Sequence, residues 1–389
     1  MKGIINIILR ELKFITKSKL YIFALIVFPI LDIVFLGGIY ISQTLNKLPI
    51  AVIDNDNSKV SKNIVRYFNA SPDMRATNRV SNVYELQDLF NKQDSVLGLY
   101  IPKNFQKDIK KQKSPSVTVF INASNYISGN IVDSASIAIL SIINAGIKSS
   151  MLTKNGIYKQ QTKDLLQPVR VDNEKLFNPS LNYNFYLTPG LWLSVIHQFL
   201  ILIGVLTLST EFDLKTVSSM LEESKRSLLK VLIGKMLVYL LFAFTHFEIL
   251  YLLMFKLFNI PMLHSNEEVI LYSLCFAFAS ISFGMFLSSL LKTRLNALKG
   301  CLLLSAPAFL LSGYTWPLDQ MPCLVQKAVH IIPLAPFLEG FKKLYQQNIS
   351  IEYTYYFVKK LLVFGLAYFV LAYIFMCFRV KKYEAKYGN

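Results

Sequence analysis

Leu187-Thr-Pro-Gly-Leu-Trp-Leu-Ser-Val-Ile-His-Gln-Phe-Leu-Ile-Leu-Ile-Gly-Val-Leu-Thr-Leu-Ser209 contains no Lys, Arg, Asp or Glu. A helix of that length, at about 1.5 Å per residue, matches the roughly 30 Å hydrocarbon core of a bilayer. Outward from it stand five more apolar runs: Tyr21–Ile41, Leu237–Phe255, Val269–Leu291, Gly300–Trp316 and Leu361–Phe378. The chain has 389 residues, is 53% hydrophobic and has a mean hydropathy of +0.41. These features predict an α-helical membrane protein with six transmembrane helices. The first run is too long for a cleaved leader, and no small-x-small site follows it, so it reads as an uncleaved anchor.

The net charge of +17 is informative through its location. Basic residues cluster before the first run (Lys2, Arg10, Lys13, Lys17, Lys19), between the second and third (Lys215, Lys225, Arg226, Lys230, Lys235), between the fourth and fifth (Lys292, Arg294, Lys299) and after the sixth (Arg379, Lys381, Lys382, Lys386). The positive-inside rule then predicts that both termini are cytoplasmic. Charge that flanks spans points to membrane lipid, not nucleic acid. The expected organisation is a cytoplasmic interfacial helix over 1–19 and a first span over 20–42. An extracytoplasmic domain over 43–186 follows, then a five-helix membrane domain over 187–379 and a cytoplasmic tail over 380–389. Ile4, Ile5, Ile8, Leu12 and Ile15, near helical spacing among basic residues, predict a helix lying on the membrane surface. The competing reading is a cytoplasmic extension of the first span.

Residues 43–186 read as an inserted α/β domain. Pro49–Ile53, Ser95–Ile101 and Val117–Ile121 carry strand patterns. Val60, Ile64, Val65 and Phe68 recur at helical spacing, as do Val83, Leu86, Leu89 and Phe90, and Phe105 and Ile109 sit on a short basic helix. The order is strand–helix–helix–strand–helix–strand, with one long helix from Ile127 to Leu166. Asp54-Asn-Asp-Asn-Ser58 starts like a calcium loop but lacks the Gly and terminal Glu that such a loop needs, so it reads as a turn and helix cap. Cys275, Cys301, Cys323 and Cys377 all lie outside this domain, which therefore holds no internal disulfide.

No phosphate-cradling loop occurs: Gly234-Lys235 is followed by Met236 and lacks the upstream Gly. No nucleophile–base signature, cofactor motif or metal-binding His pair is present, so the chain reads as a non-catalytic subunit. Asp32, His197 and Glu248 fall inside spans, each about 7–11 residues, or roughly 10–17 Å, from the outer end. Ionisable residues at that depth line a pathway or bind helices together.

Several ordered elements resemble the ABC-2 type permease family, bacterial drug-export subunits with a large domain after the first span. These are Pro49 to Ser58; Ile101-Pro-Lys-Asn-Phe105; Glu211-x-Asp213-x-x-Thr216 with Gly234-Lys235; Ser312-Gly-Tyr-Thr-Trp-Pro317 with Met321-Pro322; and Pro333-Leu-Ala-Pro-Phe337. Lys215 and Ser224 depart from the family's usual Gly and Pro. The resemblance covers the whole chain. It implies the membrane subunit of an exporter in the bacterial inner membrane, energised by a cytosolic ABC ATPase subunit. It also implies a homodimer or a heterodimer with a sibling permease, with room for a periplasmic adaptor and outer-membrane channel. Drugs, lipids, peptides and bile-salt-like amphiphiles all fit as substrates. The coupling segment would be 210–235, with Glu211, Asp213, Thr216, Met220 and Leu221 docking the ATPase; the bland reading is an interfacial loop. Ser312, Gly313, Pro317, Met321 and Pro322 would form an outer gate or re-entrant motif, and 316–345 a re-entrant segment or short helices at the outer interface; Tyr314, Trp316 and Phe337 also suit an aromatic belt. Two other classes compete: a membrane-anchored ligand-binding sensor, and an intramembrane enzyme using Asp32, His197 and Glu248.

Overall fold

The computed structural model describes residues 2–39, 45–111, 113–154, 183–258, 266–291, 293–305, 307–345, 347 and 351–387. From the N-terminus come α1 (Lys2–Lys17), α2 (Lys19–Ile22), a π-helical turn (Phe23–Val27) and α3 (Phe28–Ile39). Then follow β1 (Leu48–Asp54), α4 (Lys59–Ala70), β2 (Met74–Arg79), α5 (Val83–Asn91), β3 (Leu97–Ile101), α6 (Phe105–Lys110), β4 (Thr118–Ile121) and α7 (Tyr126–Lys154). The remainder is helical: α8 (Tyr183–Asp213), α9 (Val217–Glu223), α10 (Leu228–Lys256), α11 (Asn266–Leu290), α12 (Arg294–Ser305), α13 (Ala308–Leu311), a 3-10 turn (Leu318–Gln320), α14 (Cys323–Val329), α15 (Leu334–Tyr345) and α16 (Ile351–Tyr387). Two compact units result, residues 1–43 with 175–389, and residues 44–174.

Among the described residues, six helical stretches are long and apolar enough to cross a membrane: Tyr126–Thr153, Asn184–Asp213, Leu228–Met254, Glu267–Leu290, Arg294–Leu311 and Thr354–Ala385. The last five coincide with expected spans. The first expected span is helical without a gap from Lys19 to Ile39, as α2, the π-helical turn and α3, and its described apolar stretch is Leu25–Ile39. The turn inside it has a local reason. The π-turn interrupts the α-helical ladder, and Pro29, four residues past Leu25, has no N–H to donate to the Leu25 carbonyl. The His246 Nε2 of α10 bonds that carbonyl instead. The end of that span at Ile41, and any helix from 155 to Leu166, lie outside the described residues.

In the helical unit, α11 packs most extensively on α16 and α8. Gly204 of α8 faces Gly284 of α11: a Cβ on Gly204 would lie 2.4 Å from the Ile281 carbonyl oxygen and 2.9 Å from the Gly284 Cα. Small residues let helix backbones approach this closely. Trp192 is fully buried, donates its indole N–H to the Ile33 carbonyl at 3.2 Å and packs on Phe258.

In the other unit the sheet order is β2-β1-β3-β4, with β1 parallel to β2 and β3, and β3 antiparallel to β4. One face buries Ile50, Val52, Leu97 and Leu99 against Ile64, Phe68 and Val132; the other sets Ala51 and Ile53 against Leu86. The Asp54 cluster works as a cap: Asp54 Oδ1 accepts from the Asp56 and Asn57 amides, and Ser58 Oγ from the Ser61 amide. The expected element order omitted β2. That strand reads Met-Arg-Ala-Thr-Asn-Arg, lies at the sheet edge and buries only Met74, so it lacks an apolar run. The apolar length of α7 is explained in part by Val132, Ala135, Ile139, Leu140 and Ile143, which pack toward the sheet core.

Candidate functional site

The site begins with a glycine. A Cβ on Gly234 of α10 would lie 2.8 Å from Ile7 Cγ2, so its absence lets α1 lie against α10. The buried positions of α1 are Gly3, Ile7, Glu11 and Ile15, one helical face with a carboxylate in its centre. Glu11 thereby meets Lys235, the residue after Gly234. Lys235 Nζ lies 2.5 Å from Glu11 Oε2 and 3.0 Å from Glu211 Oε1 at the end of α8, and both Lys235 and Glu11 side chains are about as buried as the core. Arg10 Nη2 sits 2.8 Å from the other Glu211 oxygen, which also accepts from the Thr216 hydroxyl at 2.5 Å. The second Glu11 oxygen accepts from Thr207 at 3.1 Å and from the Tyr239 hydroxyl.

Two cations and two carboxylates therefore balance in a nearly dry cluster, beside a cavity of about 60 Å³. Removing ions from water costs several kcal/mol each, and mutual attraction offsets this only when the geometry is good and the remaining lone pairs are satisfied. Here the four carboxylate oxygens are all engaged. The cluster ties together α1, the end of α8, the α8–α9 turn and α10. Arg10 also approaches Glu223 of α9 at 3.6 Å, and Asn6 donates to the Glu223 carbonyl.

The structure places the remaining sequence-predicted residues as follows. Asp213 is exposed. Met220 and Leu221 are only 2% and 5% exposed and belong to the main core, so they form no projecting ridge. The apolar face of α9, formed by Val217, Met220 and Leu221, turns inward, and Ser218, Ser219 and Glu222 are its exposed face. His197 is fully buried, stacks on Phe276 at 5.5 Å, and has a partner on neither ring nitrogen among the described residues; Asp32 is half-buried and Glu248 exposed. No hydrogen bond joins those three. Ser312 Oγ accepts from the Tyr314 amide, and Gly313 holds φ +85°, a conformation that favours glycine. Tyr314 and Tyr186 stack and exchange hydroxyl-to-carbonyl bonds, each 2.6 Å. Pro317 precedes the 3-10 turn, Met321 ends it and accepts from Gln326, and Pro322 precedes α14. The 3-10 turn, α14 and α15 follow one another over 318–345.

Sequence reasoning missed Glu11 and Tyr239, counted Arg10 only as a flanking charge, and named Lys235 as a flanking charge and in the Gly234-Lys235 element without a partner. The available signal was an acid on the apolar stripe of a basic helix.

The ABC-2 family transporter protein profile matches residues 19–374. The probable multidrug ABC transporter permease YbhR of Escherichia coli is 22% identical over 346 residues, covering 87% of this chain and 89% of YbhR. The inner membrane transport permease YhhJ of the same organism is 24% identical over 383 residues, 96% of each chain. The linearmycin resistance permease protein LnrN of Bacillus subtilis is 20% identical over 356 residues, 88% of this chain and 91% of LnrN. With a matching profile across most of its length and a bundle of apolar helices, the chain belongs to the ABC-2 transporter family and is a multi-pass membrane permease subunit of an ABC transporter.

Proposed function

We propose that this permease moves a hydrophobic or amphiphilic substrate out of a bacterial cell, driven by a separate ATPase subunit that acts on the α8–α9–α10 end of the bundle. Both termini and that end are cytoplasmic, residues 43–186 are extracytoplasmic, and two permease chains, identical or sibling, form the pathway. The buried Arg10–Glu211–Lys235–Glu11 cluster carries this reading. It makes α1, α9 and the ends of α8 and α10 one mechanical piece, so a push on α9 reaches two spans at once. The names of the relatives, which include a probable multidrug permease and a linearmycin resistance permease, support the substrate class.

The docking surface is then the exposed face of α9. Replacing Ser218 and Glu222 with Arg should leave membrane levels unchanged while lowering ATPase recovery on co-purification several-fold, since interface energy concentrates in a few residues. Met220→Ala with Leu221→Ala should instead lower the amount of folded chain, because each buried truncation costs about 2–5 kcal/mol. Wild-type recovery of ATPase by the Ser218/Glu222 variant would move the coupling surface elsewhere.

The orientation is tested in a cysteine-free background. Lys92, whose side chain is 61% exposed, lies in the α/β unit, and exposed Lys225 follows α9. A membrane-impermeant maleimide should label Lys92→Cys in intact cells and Lys225→Cys only after lysis. Labelling of position 225 from outside overturns the topology.

A further inference from the structure

In the α/β unit, α4 and the edge strand β2 enclose a cleft of about 570 Å³, a size typical of small-molecule sites. Its charge is one-sided. α4 and β2 together carry Lys59, Lys62, Arg66, Arg75 and Arg79 and not one Asp or Glu. Lys62 and Arg66 stand four residues apart on one helix face, where like charges repel. With Arg79 they line the cleft, are exposed, and take part in no ion pair among the described residues. The walls are not featureless. Asn69 at the end of α4 accepts from the Ala76 amide at 3.1 Å, pinning helix to strand. The β1–β2 register slips between Ile50 and Ala51, whose partners are Ala76 and Asn78, so Thr77 bulges into the cleft. Half-buried Val65 and Ala76 add apolar surface to the lining.

We infer that this cleft binds the anionic head of an amphiphile, a phosphate or carboxylate held by Lys62, Arg66 and Arg79 with its apolar portion on Val65 and Ala76. Three cations lining one cleft with no carboxylate in its lining gain most from an anionic ligand, and arginine forks suit phosphate or carboxylate oxygens. The inference rests on the geometry of the α/β unit alone and not on the transport reading.

The test is calorimetric titration of the full chain in a neutral detergent. The probes are dihexanoyl phosphatidic acid, dihexanoyl phosphatidylcholine and inorganic phosphate. Phosphatidic acid should bind, with affinity falling as salt rises; inorganic phosphate should bind more weakly, lacking the apolar part; phosphatidylcholine should not bind. Equal affinity for phosphate and phosphatidic acid would still support the anion site and identify a free anion as its occupant. Arg66→Gln with Arg79→Gln should weaken phosphatidic acid binding about tenfold or more, the worth of one or two charge-assisted hydrogen bonds. Lys107→Gln with Lys110→Gln removes the same charge from exposed positions on α6 and should bind as the native chain does. Absence of binding by both anions overturns the inference. So does an equal loss in the α6 control, which would mark general surface electrostatics.

Discussion

A Lys235→Met variant should lose most of its folded protein, at a cost of about 3–5 kcal/mol, the usual penalty for leaving one side of a buried ion pair without its partner. Lys235 Nζ contacts both Glu11 and Glu211, so its removal leaves two carboxylates facing each other where almost no water reaches. Arg10 offsets only one of them, since it lies against Glu211 and Glu223. Replacing Glu11 and Glu211 with Gln in the same chain should restore most of the loss, because the Thr207, Thr216 and Tyr239 hydroxyls can still donate to the amide oxygens. The measurement is the midpoint of thermal unfolding in detergent, compared at equal expression. A single variant that melts like the native chain, or a triple variant no better than the single, removes the cluster from its structural role. A further outcome bears on function: a triple variant that folds but no longer couples ATP hydrolysis to transport would separate the clamp's mechanical part from its stabilising part.

That cluster also marks where reading the sequence stopped. The spans were legible because a bilayer demands long apolar helices, and the demand is written locally. The clamp was not, because Lys235 and Glu11 are 224 residues apart and no spacing joins them. Amphipathicity placed α1 at the membrane surface through its apolar and basic residues. The structure buries a different stripe, Gly3-Ile7-Glu11-Ile15, against α10. A charged residue at a core position is the kind of local inconsistency that marks a functional or strained site. The same limit explains α9: a short helix with Val217, Met220 and Leu221 on one face was legible as amphipathic, but not whether that face meets a partner or its own chain.

In the α/β unit the buried strands β1 and β3 were evident from Ile50–Ile53 and Leu97–Ile101, whereas edge strand β2 was not. Edge strands pack on one side only, so Arg75, Thr77 and Arg79 stand exposed in alternation and resemble a loop. Its polarity is also what makes the cleft beside it basic. The π-helical turn in the first span has a comparable origin. Pro29 offers the Leu25 carbonyl no N–H, and the group that bonds it, His246, lies 221 residues away in sequence.

Gly204→Leu should be as damaging as the loss of Lys235, by the opposite physics. A Cβ there meets the Ile281 carbonyl oxygen at 2.4 Å and the Gly284 Cα at 2.9 Å. Both obstacles are backbone, so no rotamer change relieves them. Ordinary contact begins near 3.4 Å, so α8 and α11 must separate by about 1 Å even for alanine. Each helix also packs on other neighbours, α11 on α16 and α8 on α12, so the displacement cannot stay local. Overpacking of a tight core commonly costs about 1–3 kcal/mol; Gly204→Ala should fall in that range, and leucine should exceed it. Gly38 provides the control. It lies in α3, and among the described residues nothing stands within 4 Å of a Cβ built on it, so Gly38→Leu should melt within a degree or two of the native chain. Detergent melting curves of the three variants test the ranking. If Gly204→Leu and Gly38→Leu unfolded at the same temperature, the close crossing of α8 and α11 would not be the point on which the bundle is built.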